Sequence, residues 1–74
     1  SLRVDKNAEL SGKTLADTNL RSKYGITVLA IQRGDNVIAS PDGPSTIEGD
    51  DILYVLGDSE NIETFQKLIK ADSD

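Results

Sequence analysis

The chain's 74 residues and 8.0 kDa leave room for one domain, spanning 1–74, and its 36% hydrophobic content makes for a small core that calls for support from a partner chain. Eight Lys and Arg against 13 Asp and Glu, a net charge of −5, argue against nucleic acid as a partner, and no run nears the roughly 20 apolar residues of a membrane span. Zero Cys excludes disulfides, thiol catalysis and zinc fingers, while zero His removes the commonest general base and metal ligand, so most enzyme classes fall away.

The first segment, Leu2-Arg3-Val4-Asp5, alternates apolar and polar residues, the period of a half-buried strand. Ser11-Gly12 breaks it. Thr14-Leu15-Ala16-Asp17 is a Ser/Thr-x-x-acid capping box that opens a short helix of three turns, with Leu15, Leu20 and Tyr24 on one face. Gly25 ends this helix at a position where a left-handed residue is commonly needed. TVLAIQR, residues 27–33, holds four consecutive apolar residues rich in strand formers and reads as a central strand buried on both faces. Gly34-Asp35 then joins it to Asn36-Val37-Ile38-Ala39 as a tight hairpin with Gly at the first turn position.

Residues 40–44 (SPDGP) hold two Pro and one Gly and form a loop. Thr46-Ile47 reads as a brief extended piece before the acidic turn Glu48-Gly49-Asp50-Asp51. ILYVL, residues 52–56, is a second fully apolar strand that Gly57 stops. Asp58 or Ser59 can cap the last helix, where Ile62, Phe65, Leu68 and Ile69 fall on one stripe at helical spacing. Glu60 and Glu63 in its first turn and Lys67 and Lys70 in its last match the macrodipole, and Glu63 with Lys67 makes an i,i+4 pair. The tail, 72–74, is expected to fray. The order strand, helix, strand, strand, strand, helix predicts an α+β fold: a small mixed, mostly antiparallel sheet with two helices packed on it.

Few residues point to chemistry. Gly12-Lys13-Thr14 resembles the end of a phosphate-binding loop, but that motif needs a Gly five residues earlier, where Asn7 stands. A turn leading into a capped helix accounts for it. Asp50 and Asp51, with Glu48 and Asp42 nearby, lack the alternating acid spacing of a calcium loop. No metal, cofactor or catalytic residue is expected, and the chain does not read as an enzyme. Arg21, among Asn19, Ser22 and Lys23 just before the central strand, can hold a phosphate bidentately or complement a helix C-terminus as a solvated cation. Arg33 reads as a border of the hairpin turn.

In this order the signals are recognisable. Leu10-x-Gly12-Lys13-Thr14-Leu15, Leu20-Arg21-x-Lys23-Tyr24-Gly25-Ile26 and Val28-Leu29-Ala30-Ile31-x-Arg33-Gly34 follow one another closely. Val37-Ile38-x-x-Pro41, Ile47-x-x-Gly49-Asp50 and Leu53-Tyr54-Val55-Leu56-Gly57 continue the series. From about residue 3 to 70 the chain resembles the C-terminal subdomain of RCK proteins, also called the TrkA-C domain.

That resemblance implies a small α+β module that dimerises about a two-fold axis. It also implies a cytoplasmic regulatory part of a potassium channel or a Trk/Ktr-type uptake system, held at the inner face of the membrane through a transport subunit and not itself inserted. The chain lacks the GxGxxG of the Rossmann-like subdomain that binds nucleotides in such proteins, so NAD or ATP binding does not carry over, and an excised fragment is the expectation. A Ktr-like branch of the family binds cyclic di-AMP between two C-terminal subdomains, and the tract 20–28 is similar to it. By that likeness Arg21 matches the arginine on a ligand phosphate, Leu15, Leu20 and Pro41 supply apolar contact, and Asn19, Thr27 and Asn36 supply polar contact. The competing reading is a ligand-free dimerisation domain of a cation–proton antiporter or anion permease, with a groove that is shallow or plugged by side chains.

Overall fold

The computed structural model describes residues 1–70, and the expected fraying of the tail falls outside them. Seven elements follow in chain order: β1 (Leu2–Arg3), α1 (Leu15–Thr18), α2 (Leu20–Tyr24), β2 (Thr27–Arg33), β3 (Asn36–Ala39), β4 (Ile52–Leu56) and α3 (Ser59–Leu68). The four strands form one sheet in the order β1-β4-β2-β3, and each pairing is antiparallel. The α+β fold expected from the sequence is the one observed.

Gly34 and Asp35 close the β2–β3 hairpin with Arg33 opposite Asn36. Gly34 has φ 61° and Asp35 does not enter the positive region, the pattern of a turn whose twist suits a two-residue hairpin. β2 and β4 pair from Thr27↔Leu56 to Gln32↔Ile52, and the register shifts between Val28 and Ala30, so Leu29 occupies a bulge.

The core lies on one face of this sheet. Ile31 of β2 and Leu53 of β4 are fully buried there with Val4, Ile26, Ile47 and Phe65, and Ala8, Leu10, Leu20 and Ile69 complete the cluster. Phe65 and Ile69 come from the α3 stripe read in the sequence, while Ile62 and Leu68 pack against the cluster half-buried. Full burial of a side chain such as Phe65 contributes about 1.5–3 kcal/mol.

Three sequence expectations are corrected. The 14–25 segment is not one helix: Asn19 adopts a left-handed conformation (φ 50°) that ends α1 and begins α2. Asn is among the few residues that tolerate this region, which is why a continuous apolar stripe did not make a continuous helix. The capping box survives in half, with the Asp17 amide donating to Thr14 Oγ1 at 3.1 Å, and Gly25 (φ 64°) closes α2 as expected. Second, β2 is not buried on both faces. Its neighbours β3 and β4 turn Val37, Tyr54 and Leu56 outward, and Leu29 is 50% and Leu56 64% exposed. Among the described residues no helix covers that outer face, so an apolar run that reads as two-sided burial is covered on one side. Third, α3 starts at N-cap Asp58 without a side-chain cap bond, and no Glu63–Lys67 ion pair forms among the described residues.

Candidate functional site

The sheet's two ends are built differently. At the far end of β2, Arg33 does more than border a turn. Its Nε and Nη2 donate to Asp51 Oδ1 and Oδ2, both at 2.9 Å, Nη2 also donates to the Thr46 carbonyl at 3.0 Å, and Nη1 lies 2.8 Å from Glu48 Oε2. Asp51 is fully buried, and Oδ2 takes a further bond from the Glu48 amide at 2.9 Å. The hydrogen bond to Asp51, reinforced by the charges of Asp51 and Glu48, outweighs burial and raises the Arg33 pKa above its ordinary value. This clamp fixes the 46–51 turn against the hairpin. Sequence reasoning missed it because the partners stand 18 residues apart, with no local pattern joining them.

Beside it, Arg3 Nη2 donates to Asp50 Oδ1 at 2.8 Å and Lys6 Nζ lies 3.7 Å from Oδ2. The Arg3 hydrogen bond, with help from the nearby Lys6 charge, holds the Asp50 carboxyl below the usual carboxylate range. The acidic turn is thus occupied by the chain's own cations. Among the described residues no group of three or more His, Cys, Asp or Glu is placed to hold a metal ion.

The near end of β2 is open. α1, α2, the start of β2 and the 41–43 loop surround a cavity of about 310 Å³ lined by Leu15, Ala16, Leu20, Arg21, Ile26, Thr27, Val28, Pro41, Asp42 and Gly43. This lies at the lower end of the range for small-molecule sites. Leu20 and Ile26 are buried core residues, so the cavity's apolar lining is continuous with the core. Two bonds fix the loop on α1, Ala16 amide to Gly43 carbonyl at 3.0 Å and Leu15 amide to Ser45 carbonyl at 2.8 Å. Arg21 sits on α2, which is tied down by its Gly25 cap, and its guanidinium makes no hydrogen bond or ion pair within the described residues.

Five of the seven residues singled out from the sequence line this cavity: Leu15, Leu20, Arg21, Thr27 and Pro41. Asn19 and Asn36 do not. Asn19 is the left-handed link between α1 and α2, next to the cavity-lining Leu20. Asn36 opens β3 at the other end of the hairpin, six residue steps or about 20 Å along β2 from Thr27. Asp42 lines the cavity without having been singled out as a ligand contact, since in the sequence it read as part of a loose acidic group.

Gly12-Lys13-Thr14 is no phosphate cradle. The Gly12 amide donates to the Ile47 carbonyl at 2.7 Å and the Ile47 amide to the Lys13 carbonyl at 2.8 Å, so the segment is paired with the 45–47 strip. A smaller depression of about 180 Å³ lies by Asn7, Glu9, Lys67, Leu68 and Lys70.

A four-stranded antiparallel sheet with helices on one face, and a cavity between its helical corner and a proline loop, define a small α+β module. The sequence matches the TrkA-C domain family over residues 1–70, and the chain belongs to that family. Ktr system potassium uptake protein C of Bacillus subtilis (strain 168) is 44% identical over 68 residues, covering 92% of this chain and 31% of the relative. Among solved structures, the RCK C domain of the potassium transport protein KtrA in complex with cyclic di-AMP is 34% identical with a TM-score of 0.75, covering 80% of this chain and 69% of that one. The RCK_C domain dimer of S. agalactiae BusR, also in complex with cyclic di-AMP, is 26% identical with a TM-score of 0.85, covering 92% and 84%. The chain spans about a third or less of the length of the curated relatives it matches. No helix among the described residues is long and apolar enough to cross a membrane.

Proposed function

We propose that this chain is a ligand-sensing and dimerisation module of a potassium channel or potassium uptake system, and that its effector is cyclic di-AMP bound where two copies meet. The observation that carries the reading is Arg21: an unpaired guanidinium on the wall of an open, largely apolar cavity. An arginine without an internal partner offers its planar fork to a phosphate, and apolar walls suit a base. The likeness to a potassium uptake protein and to two domains solved with cyclic di-AMP supports the same reading. A ligand-free tethering domain would have an interface groove that is shallow or plugged by side chains, and the open volume of about 310 Å³ beside Arg21 within one copy supports the sensing reading.

The size of the ligand is met by symmetry. A cyclic dinucleotide has a two-fold axis, so two copies related by such an axis each provide one phosphate site and one base site. The outer sheet face supports association: Leu29, Val37, Tyr54 and Leu56 are exposed, and apolar patches of this kind mark interaction surfaces. This face adjoins the cavity at Thr27, which lines the cavity and pairs with Leu56. A ligand across the seam favours one relative orientation of the two copies, and moves the attached transport subunit at the membrane's cytoplasmic side only by its differential affinity for the two orientations.

Calorimetric titration of the purified chain with cyclic di-AMP tests this, with its oligomeric state measured by light scattering at the same concentration. The expected result is saturable heat at one ligand per two chains. A dimer that gives no heat removes the ligand. A chain that stays monomeric with ligand bound removes the shared seam.

A further inference from the structure

The cavity carries two opposite charges that leave each other alone. Arg21 and Asp42 both line it, yet no ion pair joins them or ties either one to another charged group within the described residues. Asp42 is nonetheless held in place. Its Oδ1 accepts from Ser45 Oγ at 3.2 Å and its carbonyl from the Ser45 amide at 3.0 Å, while the next residue is bonded to α1 through Gly43 and Ala16. Oδ2 is left with no partner among the described residues.

We infer that Asp42 is the specificity-determining residue of the cavity, its carboxylate accepting a hydrogen bond from the exocyclic amine of the ligand's adenine. The inference rests on the cyclic di-AMP reading given above and deepens it. An ionised carboxylate only accepts hydrogen bonds, so it attracts N–H donors and repels both phosphate oxygens and ring carbonyls. A ligand half with an anion at one end and an amine at the other therefore has one favourable orientation in this cavity: phosphate to Arg21, amine to Asp42. The apolar walls between them, Leu15, Leu20, Val28 and Pro41, suit the face of the purine and cannot tell one purine from another. Discrimination between bases then falls to Asp42, because a bound purine that covers this exposed carboxylate without offering it a donor strips its water and replaces nothing, which costs more than an apolar mismatch.

The test compares cyclic di-AMP with its analogue in which both adenines are replaced by unsubstituted purine. The two carry the same charge, so the phosphate attraction to Arg21 and repulsion from Asp42 cancel in the ratio of their dissociation constants. The wild-type chain is expected to bind cyclic di-AMP tighter by about tenfold for each amine, or about a hundredfold over the two. In Asp42→Asn, which keeps an oxygen for Ser45 and is checked for an unchanged melting temperature without ligand, that preference falls to within about tenfold, since the neutral amide is the weaker acceptor. Wild type binding both ligands equally overturns the role of Asp42 while leaving the sensing reading intact, as does a hundredfold preference that survives in Asp42→Asn. Wild type binding neither overturns the sensing reading and the role of Asp42 with it. If Asp42→Asn does not fold, the wild-type ratio alone decides.

Discussion

Arg33 ends β2 and Arg21 stands on the helix just ahead of it, and the two guanidiniums live in opposite circumstances. All three nitrogens of Arg33 contact oxygens of its own chain, two of them on the fully buried Asp51. Arg21 contacts none. The same side chain is a structural pin at one end of the strand and an unused donor at the other. What separates them is the backbone around each: the 46–51 turn folds its carbonyl and acids onto Arg33, whereas α1, α2 and the 41–43 loop leave a hollow beside Arg21. Charge alone therefore does not mark a ligand site in this molecule. The site proposed at Arg21 combines a charge without a partner among the described residues with an adjoining cavity.

Three changes break or sharpen that contrast. The largest effect is expected from Asp51→Ala, which leaves a half-buried guanidinium and the Glu48 amide without their acceptor. Removing one partner of a buried ion pair costs about 3–5 kcal/mol, read from denaturant unfolding, and a loss under about 1 kcal/mol would show that the clamp is dispensable. Arg21→Ala is expected to do the reverse. Stability stays within about 0.5 kcal/mol of wild type, as for an exposed side chain without partners, while cyclic di-AMP binding weakens by about 1.5–3 kcal/mol through the lost charge-assisted contact. Equal affinity of the variant would contradict the role given to Arg21.

The smallest effect concerns Asp50. Its carboxyl is held below its unfolded value by the Arg3 hydrogen bond, so the folded state binds its proton less readily than the unfolded one. The stabilisation is present at neutral pH and is lost as pH falls through the carboxylate range toward the depressed folded value. Arg3→Ala should flatten the acid limb of the stability curve slightly, as expected for an exposed pair, and an unchanged limb would show that the pair is inert.

Local chemistry was legible in the sequence. The Thr14–Asp17 cap, the Gly34-Asp35 turn, the Gly25 stop and the Phe65 and Ile69 stripe each depend on residues a few positions apart, and each is found where the pattern put it. What failed depends on distant partners or on what is absent. The break at Asn19 needed a backbone conformation that an apolar stripe does not report. The burial of β2 was overread because TVLAIQR cannot say whether its second face is covered by this chain or by another. Of the candidate site, the stretch from Leu15 to Thr27 was legible because one local fold brings it together, with Pro41 added through the hairpin. Asn36 lies too far along the same hairpin to share that cavity within one copy, and Asp42 was hidden among nearby acids of which Glu48 and Asp51 serve the clamp and Asp50 pairs with Arg3.

The central claim is that the hollow beside Arg21 receives the phosphate and base of a dinucleotide, and a crystal structure of the chain with cyclic di-AMP tests it most directly. The account predicts one ligand across two copies, with a phosphate oxygen within hydrogen-bond distance of each Arg21 guanidinium and each adenine between Leu15 and Pro41. A ligand seated instead against Lys67 and Lys70, or one that leaves the Arg21 cavity empty, would contradict it.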